Sequence, residues 1–131
     1  MAEYGYRTLN VWQRAKTLAT EVYRLTNSET IKRDFSLIDQ LRRSAVSVPS
    51  NSTEGDERKS DKDSVRFFHI AKGSLAELAT QLEIARDVGY FTTAQVEPLI
   101  TSCVELGKML GALVRARNNS LPRAWSPMPR A

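Results

Sequence analysis

Residues 68–89 carry the most restrictive pattern in the chain. Phe68, Ala71, Leu75, Leu78, Leu82, Ala85 and Gly89 follow one another at alternating steps of three and four residues. Such steps bring side chains onto one face of an α-helix, whereas a half-buried strand needs steps of two. A helix with a single apolar stripe gains little stability by itself and must bury that stripe against other elements.

The rest of the chain offers helices for that purpose and nothing else. Val11, Ala15, Leu18, Val22 and Leu25 form a second stripe, widened by Trp12 and Ala19. Ile38, Leu41, Ala45, Val48 and Ser52 form a third, and Val96, Leu99, Cys103, Leu106, Leu110 and Leu113 a fourth. β-branched residues are scattered, and no Asn-Gly or Asp-Gly hairpin turn occurs.

Local signals place the ends. Thr26-Asn27-Ser28 breaks the first pattern, and Gly55 and Gly89 read as C-terminal stops. Ser60 with Asp63, and Thr92 with Gln95, have capping-box spacing. Pro49 lies inside the second pattern, which predicts a kink near Ala45 or an early end, and Pro98 falls near the start of the fourth. The prediction is an all-α, antiparallel up-down four-helix bundle with helices near 9–27, 33–56, 61–89 and 93–118. The bundle domain spans 1–118, and a flexible tail, 119–131, contains Pro122, Pro127 and Pro129.

Ten apolar residues lie off the stripes: Trp12, Tyr23, Leu37, Val46, Phe67, Ile70, Ile100, Val104, Met109 and Val114. A second buried face accounts for them most simply and predicts a homo-oligomer.

Charge is unevenly distributed. Residues 108–131 hold Lys108, Arg115, Arg117, Arg123 and Arg130 and no acid, so they account for the whole chain's net charge of +4. A basic C-terminal region suits a nucleic acid or an acidic protein partner. The chain opens without a charged-then-apolar leader, and no apolar run approaches the ~20 residues that span a bilayer. A cytoplasmic protein with no membrane partner is expected.

Chemistry-bearing patterns are absent. Cys103, the single cysteine, sits within an apolar stripe and reads as a small buried hydrophobe. His69, the single histidine, follows Phe67-Phe68 and reads as a partly buried structural residue, because Arg66 stands where a Glu-x-x-His metal motif needs its carboxylate. No phosphate-loop motif is present, and Gly107-x-x-x-Gly111 reads as a close helix contact, within the bundle or between subunits. Ser44, Ser47, Ser50 and Ser52 have no neighbouring base in sequence and read as hydroxyls near the kink. No catalytic residue, metal site or cofactor is expected, and the chain reads as non-catalytic.

The segment Gln40-Leu41-Arg42-Arg43-Ser44-Ala45-Val46-Ser47-Val48-Pro49-Ser50-Asn51-Ser52-Thr53-Glu54-Gly55 is distinctive. With Leu9-Asn10-Val11-Trp12-Gln13-Arg14-Ala15, Phe67-Phe68-His69-Ile70-Ala71-Lys72-Gly73-Ser74, Glu77-Leu78, Gln81-Leu82 and Gly107-Lys108-Met109-Leu110, it resembles a known family. This is the family of four-helix-bundle proteins of 23S rRNA intervening sequences, also called ribosomal S23-like. The match covers roughly residues 6–116 in order. It departs at Ser52-Thr53, where the family tends to have Ile-Ala. The resemblance implies a bundle that assembles into a ring, commonly a homopentamer. It also implies kinship with the accessory protein of diversity-generating retroelements, a basic barrel that engages nucleic acid and a reverse transcriptase. It implies no activity.

Two functional readings follow. In the first, an oligomer binds RNA or DNA backbone through Arg42, Arg43, Arg58, Lys59, Lys72, Lys108, Arg115, Arg117 and Arg123. In the second, the chain is a protein–protein assembly scaffold, and the same arginines pair with acids such as Glu54, Asp56 and Glu57 of a neighbour.

Overall fold

The computed structural model describes residues 5–119. They form four helices: α1 (Gly5–Leu25), α2 (Phe35–Glu57), α3 (Asp61–Asp87) and α4 (Thr93–Asn119). Cross-helix contacts fix an antiparallel register for α2 with α3 and for α3 with α4. Ser47 meets Ser74 and Gly55 meets Phe68 across α2 and α3, while Lys72 approaches Gly111 and Arg117 bonds Ser64 across α3 and α4. The up-down bundle expected from the four stripes is the fold.

The stripes form the core. Val11, Ala15, Leu18 and Val22 of α1 meet Leu41, Ala45 and Val48 of α2, with Phe68 through Ala85 of α3 and Val96 through Leu113 of α4 closing the interior. Two loop residues complete it. Ile31 is fully buried in the α1–α2 connection and Phe91 nearly so in the α3–α4 connection, so both loops plug the same end of the bundle. There the loops are also bonded to each other. Thr30 donates to the carbonyl of Tyr90 at 2.6 Å, and the Tyr90 hydroxyl donates to Asp34 at 2.9 Å. Asp34 in turn caps α2 by accepting from the Leu37 amide.

Caps explain most helix ends. Ser60 accepts from the Asp63 amide, and Thr92 and Gln95 bond reciprocally as a capping box. Helix α3 ends at Asp87, two residues before the predicted stop. Gly89 then takes φ of +95°, with its amide on Arg86 O and the Tyr90 amide on Ala85 O, a Schellman termination.

Gly55 acts differently from its predicted role as a stop. Helix α2 passes through both Pro49 and Gly55 to Glu57. A Cβ on Gly55 would lie 2.5 Å from Cε1 and 2.7 Å from Cδ1 of Phe68, so the glycine makes room for a buried ring. The serines of α2 serve packing. Ser52, fully buried, donates back to Val48 O at 2.7 Å, and Ser47 joins Ser74 and Asn51 in a small polar seam between α2 and α3.

Candidate nucleic-acid interface

The nine candidate cations separate into distinct environments. Arg42 is a clamp inside the chain. Its guanidinium lies 4.5 Å from the Tyr23 ring centroid, Nε donates to Thr26 Oγ1 at 2.9 Å, and Nη2 donates to Asn27 Oδ1 at 3.1 Å. It pins the end of α1 to α2. Arg43 pairs with Asp39 one turn back on the same helix. Arg58 pairs with Glu54, also one turn back, and covers Phe67, with its guanidinium carbon 4.6 Å from the ring centroid. Arg43 and Arg58 therefore find their acids within the chain, whereas Arg42 is held by neutral partners. Lys59 is exposed in the α2–α3 turn.

Arg117 leaves the set of available cations. It is 5% exposed, its Nη1 donates to Ser64 at 2.9 Å and to Asp61 at 3.2 Å, and its guanidinium lies 5.8 Å from the Phe68 ring centroid. It closes the core at the end of α4. The sequence holds the signal: Arg117 stands four residues after Leu113, on the apolar stripe itself. Arg123 and the expected tail beyond Asn119 lie outside the described residues.

Lys72, Lys108 and Arg115 come together. They line one groove of about 330 Å³ between α3 and α4, with Val104, Gly107 and Gly111. None of the three forms an ion pair among the described residues. The sequence explains this. No acid stands three or four residues from Lys72 or from Arg115. The acid that could serve Lys108, Glu105, is held instead by Arg14 of α1 at 2.7 Å. At Gly111 a Cβ would lie 3.5 Å from Arg115 Nη1 and 3.6 Å from Lys72 Nζ, so two helices bring their cations over one bare backbone position.

The Gly-x-x-x-Gly pair is thus not a close contact within the bundle. A Cβ on Gly107 would meet nothing within 4 Å, and Val104 beside it is 52% exposed. The glycines leave the groove open. The sequence reading found the three cations but missed this floor.

The remaining candidates settle simply. His69 is exposed, one residue round the helix from the stripe, and not partly buried as predicted. Cys103 is buried, and burial pushes its thiol up to about 12. Among the described residues no group of three His, Cys, Asp or Glu side chains could hold a metal ion, and no helix is long and apolar enough to cross a membrane.

Of the ten off-stripe apolar residues, Val114 is buried, and Leu37, Ile100 and Met109 pack against the core. Lys16 lies over the Trp12 ring, and Arg58 and Arg66 over that of Phe67. Tyr23, Val46, Ile70 and Val104 remain exposed, at 43%, 41%, 43% and 52%.

A family model described as 23S rRNA-intervening sequence protein matches residues 7–112. The chain belongs to this family. The 23S rRNA-intervening sequence fold seen here is also that of a crystal structure of a protein with unknown function from the S23 ribosomal protein family of Bacteroides thetaiotaomicron VPI-5482. The two superpose with a TM-score of 0.74 at 23% identity, over 80% of this chain and 98% of that one. At that identity the likeness speaks for the fold alone. No curated protein matches the chain significantly.

Proposed function

We propose that this member of the 23S rRNA-intervening sequence family is a non-catalytic, oligomeric, cytoplasmic protein that binds nucleic-acid backbones through the α3–α4 groove. One observation carries the reading: Lys72, Lys108 and Arg115 share that groove without an acid. Cations held together repel one another, and a phosphate relieves the repulsion. In a symmetric oligomer the patch recurs once per subunit, which multiplies the field. Phosphate contacts carry no sequence information, so binding is insensitive to sequence and weakens as salt rises.

The test is fluorescence anisotropy with labelled RNA and DNA strands of unrelated sequence across a salt series. Replacing Lys72, Lys108 and Arg115 by Ala lowers the slope of log affinity against log salt by about 2 for single strands, at about 0.7 per lost phosphate contact. Absence of binding at low salt overturns this reading.

That result would favour a second reading, a protein–protein assembly scaffold without nucleic acid. It draws support from the exposed Tyr23, Val46, Ile70 and Val104, which suit a covered face. Both readings entail a homo-oligomer, with a pentamer preferred from the family resemblance. Light scattering that returns the 14.7 kDa monomer mass would count against both.

A further inference from the structure

We infer that Gly111, Lys72 and Arg115 form a seat for one phosphate-type oxyanion. The seat is the point in the groove at which a bound strand is gripped by two cations from two helices. The inference deepens the nucleic-acid reading and depends on it only for the source of the anion.

The geometry is specific. The position that a Cβ on Gly111 would take is 3.5 Å from Arg115 Nη1 and 3.6 Å from Lys72 Nζ. Apart from Gly111's chain neighbours and α4's own backbone, no other described atom lies within 4 Å of that point. Charge-assisted bonds to an oxyanion run at about 2.7–2.9 Å, so an oxygen bridging both nitrogens sits close to where a side chain would otherwise be. Only glycine leaves that space empty. The two cations also differ usefully. The guanidinium presents a fork that matches a phosphate edge, while the ammonium supplies a compact charge that can rotate to meet another oxygen.

The neighbourhood extends the seat in one direction. Lys108 lines the same groove three residues back along α4, an axial rise of about 4.5 Å, and supplies the next cation along it. At Gly107 nothing lies within 4 Å of the place a Cβ would take, so the groove stays open beside Lys108.

The deciding variant is Gly111→Leu in the full chain. It keeps every charge and favours helix, and its Cβ meets only the ends of two flexible side chains. Gly111→Ala is the milder companion should the leucine variant fold poorly. Two probes separate the sources of the anion: labelled single-stranded RNA or DNA, and pyrophosphate. With the strands, Gly111→Leu is expected to lose about tenfold in affinity at low salt, the loss that follows from weakening one charge-assisted contact. With pyrophosphate, the parent's melting temperature should rise relative to chloride of equal ionic strength, and that of Gly111→Leu should not. If the parent binds no strand yet responds to pyrophosphate in this way, the nucleic-acid reading falls and the seat stands. If strands bind both proteins with equal affinity and equal salt slope, the seat falls and the nucleic-acid reading stands. If Gly111→Leu changes the oligomeric mass, the groove is a subunit contact and the seat is overturned.

Discussion

Gly55→Ala is expected to destabilise the protein even though alanine is the better helix former. Two opposed effects decide the result. In a helix interior the exchange of glycine for alanine gains about 1 kcal/mol. Against it, the new methyl would stand 2.5, 2.7 and 3.1 Å from Cε1, Cδ1 and Cζ of Phe68. Overpacking of a well-filled core costs about 1–3 kcal/mol. The upper end applies because Phe68 is fully buried and its ring is bounded by the Arg117 guanidinium, so it has nowhere to retreat. The net loss is then about 2 kcal/mol, which for a chain of this length lowers the melting temperature by about 8 °C. Thermal denaturation at one fixed protein concentration measures it, since an oligomer's midpoint moves with concentration. A double-mutant cycle isolates the cause. In a Phe68→Leu background the clash is gone, and Gly55→Ala should stabilise by about 1 kcal/mol. A single Gly55→Ala variant that melts at or above the parent's temperature refutes the argument.

Three further outcomes are expected. Arg117→Met should cost about 2 kcal/mol, the value for a broken buried pair tempered by the partial exposure of Asp61, and leave the strand affinity of the folded protein unchanged in the anisotropy assay. Cys103 should make stability fall at alkaline pH. Its folded thiol is pushed up to about 12 while the unfolded thiol titrates near 9.0, so unfolding releases a proton in that window and stability declines as pH rises through it. Denaturant titrations of Cys103→Ala should lack this component, and a thiol reagent at pH 8 should react with the parent only as fast as the chain opens. Val46→Glu combined with Ile70→Glu should reduce the mass measured by light scattering, and retention of the parent's mass would place the subunit contact elsewhere.

The fold was readable from the sequence because its core is made almost wholly of periodic positions. The stripes through Val11, Leu41, Leu75 and Leu106 turned out to be the interior, and the caps at Ser60 and Thr92 formed as their spacing implied. Ile31 and Phe91 escaped notice because a loop residue has no period. Their burial depends on how two connections meet at one end. Gly55 was misjudged for a related reason. Glycine serves both a left-handed turn and a close approach, and the choice rested on a ring in another helix. The candidate site was legible only as a list of charges. Arg115 and Arg117 look alike by composition, yet the stripe's phase sends Arg117 into the core and leaves Arg115 outside. That Lys72 meets Arg115 depends on the relative rotation of α3 and α4, which no single-helix pattern encodes.

Among the described residues the four seams of the bundle are unequal, and that between α1 and α4 is the slenderest. It is bridged by Arg14, which reaches Glu105 and the sulfur of Met109. The far end of α1 is held firmly by the Arg42 clamp on Thr26 and Asn27. Helix α1 is thus anchored at its C-terminal end, while its edge toward α4 is closed on the outside by an exposed ion pair. Its buried stripe of Val11, Ala15, Leu18 and Val22 keeps it in the core, so opening here is a local fraying along one edge, and amide exchange should be faster around Arg14 than around Val22.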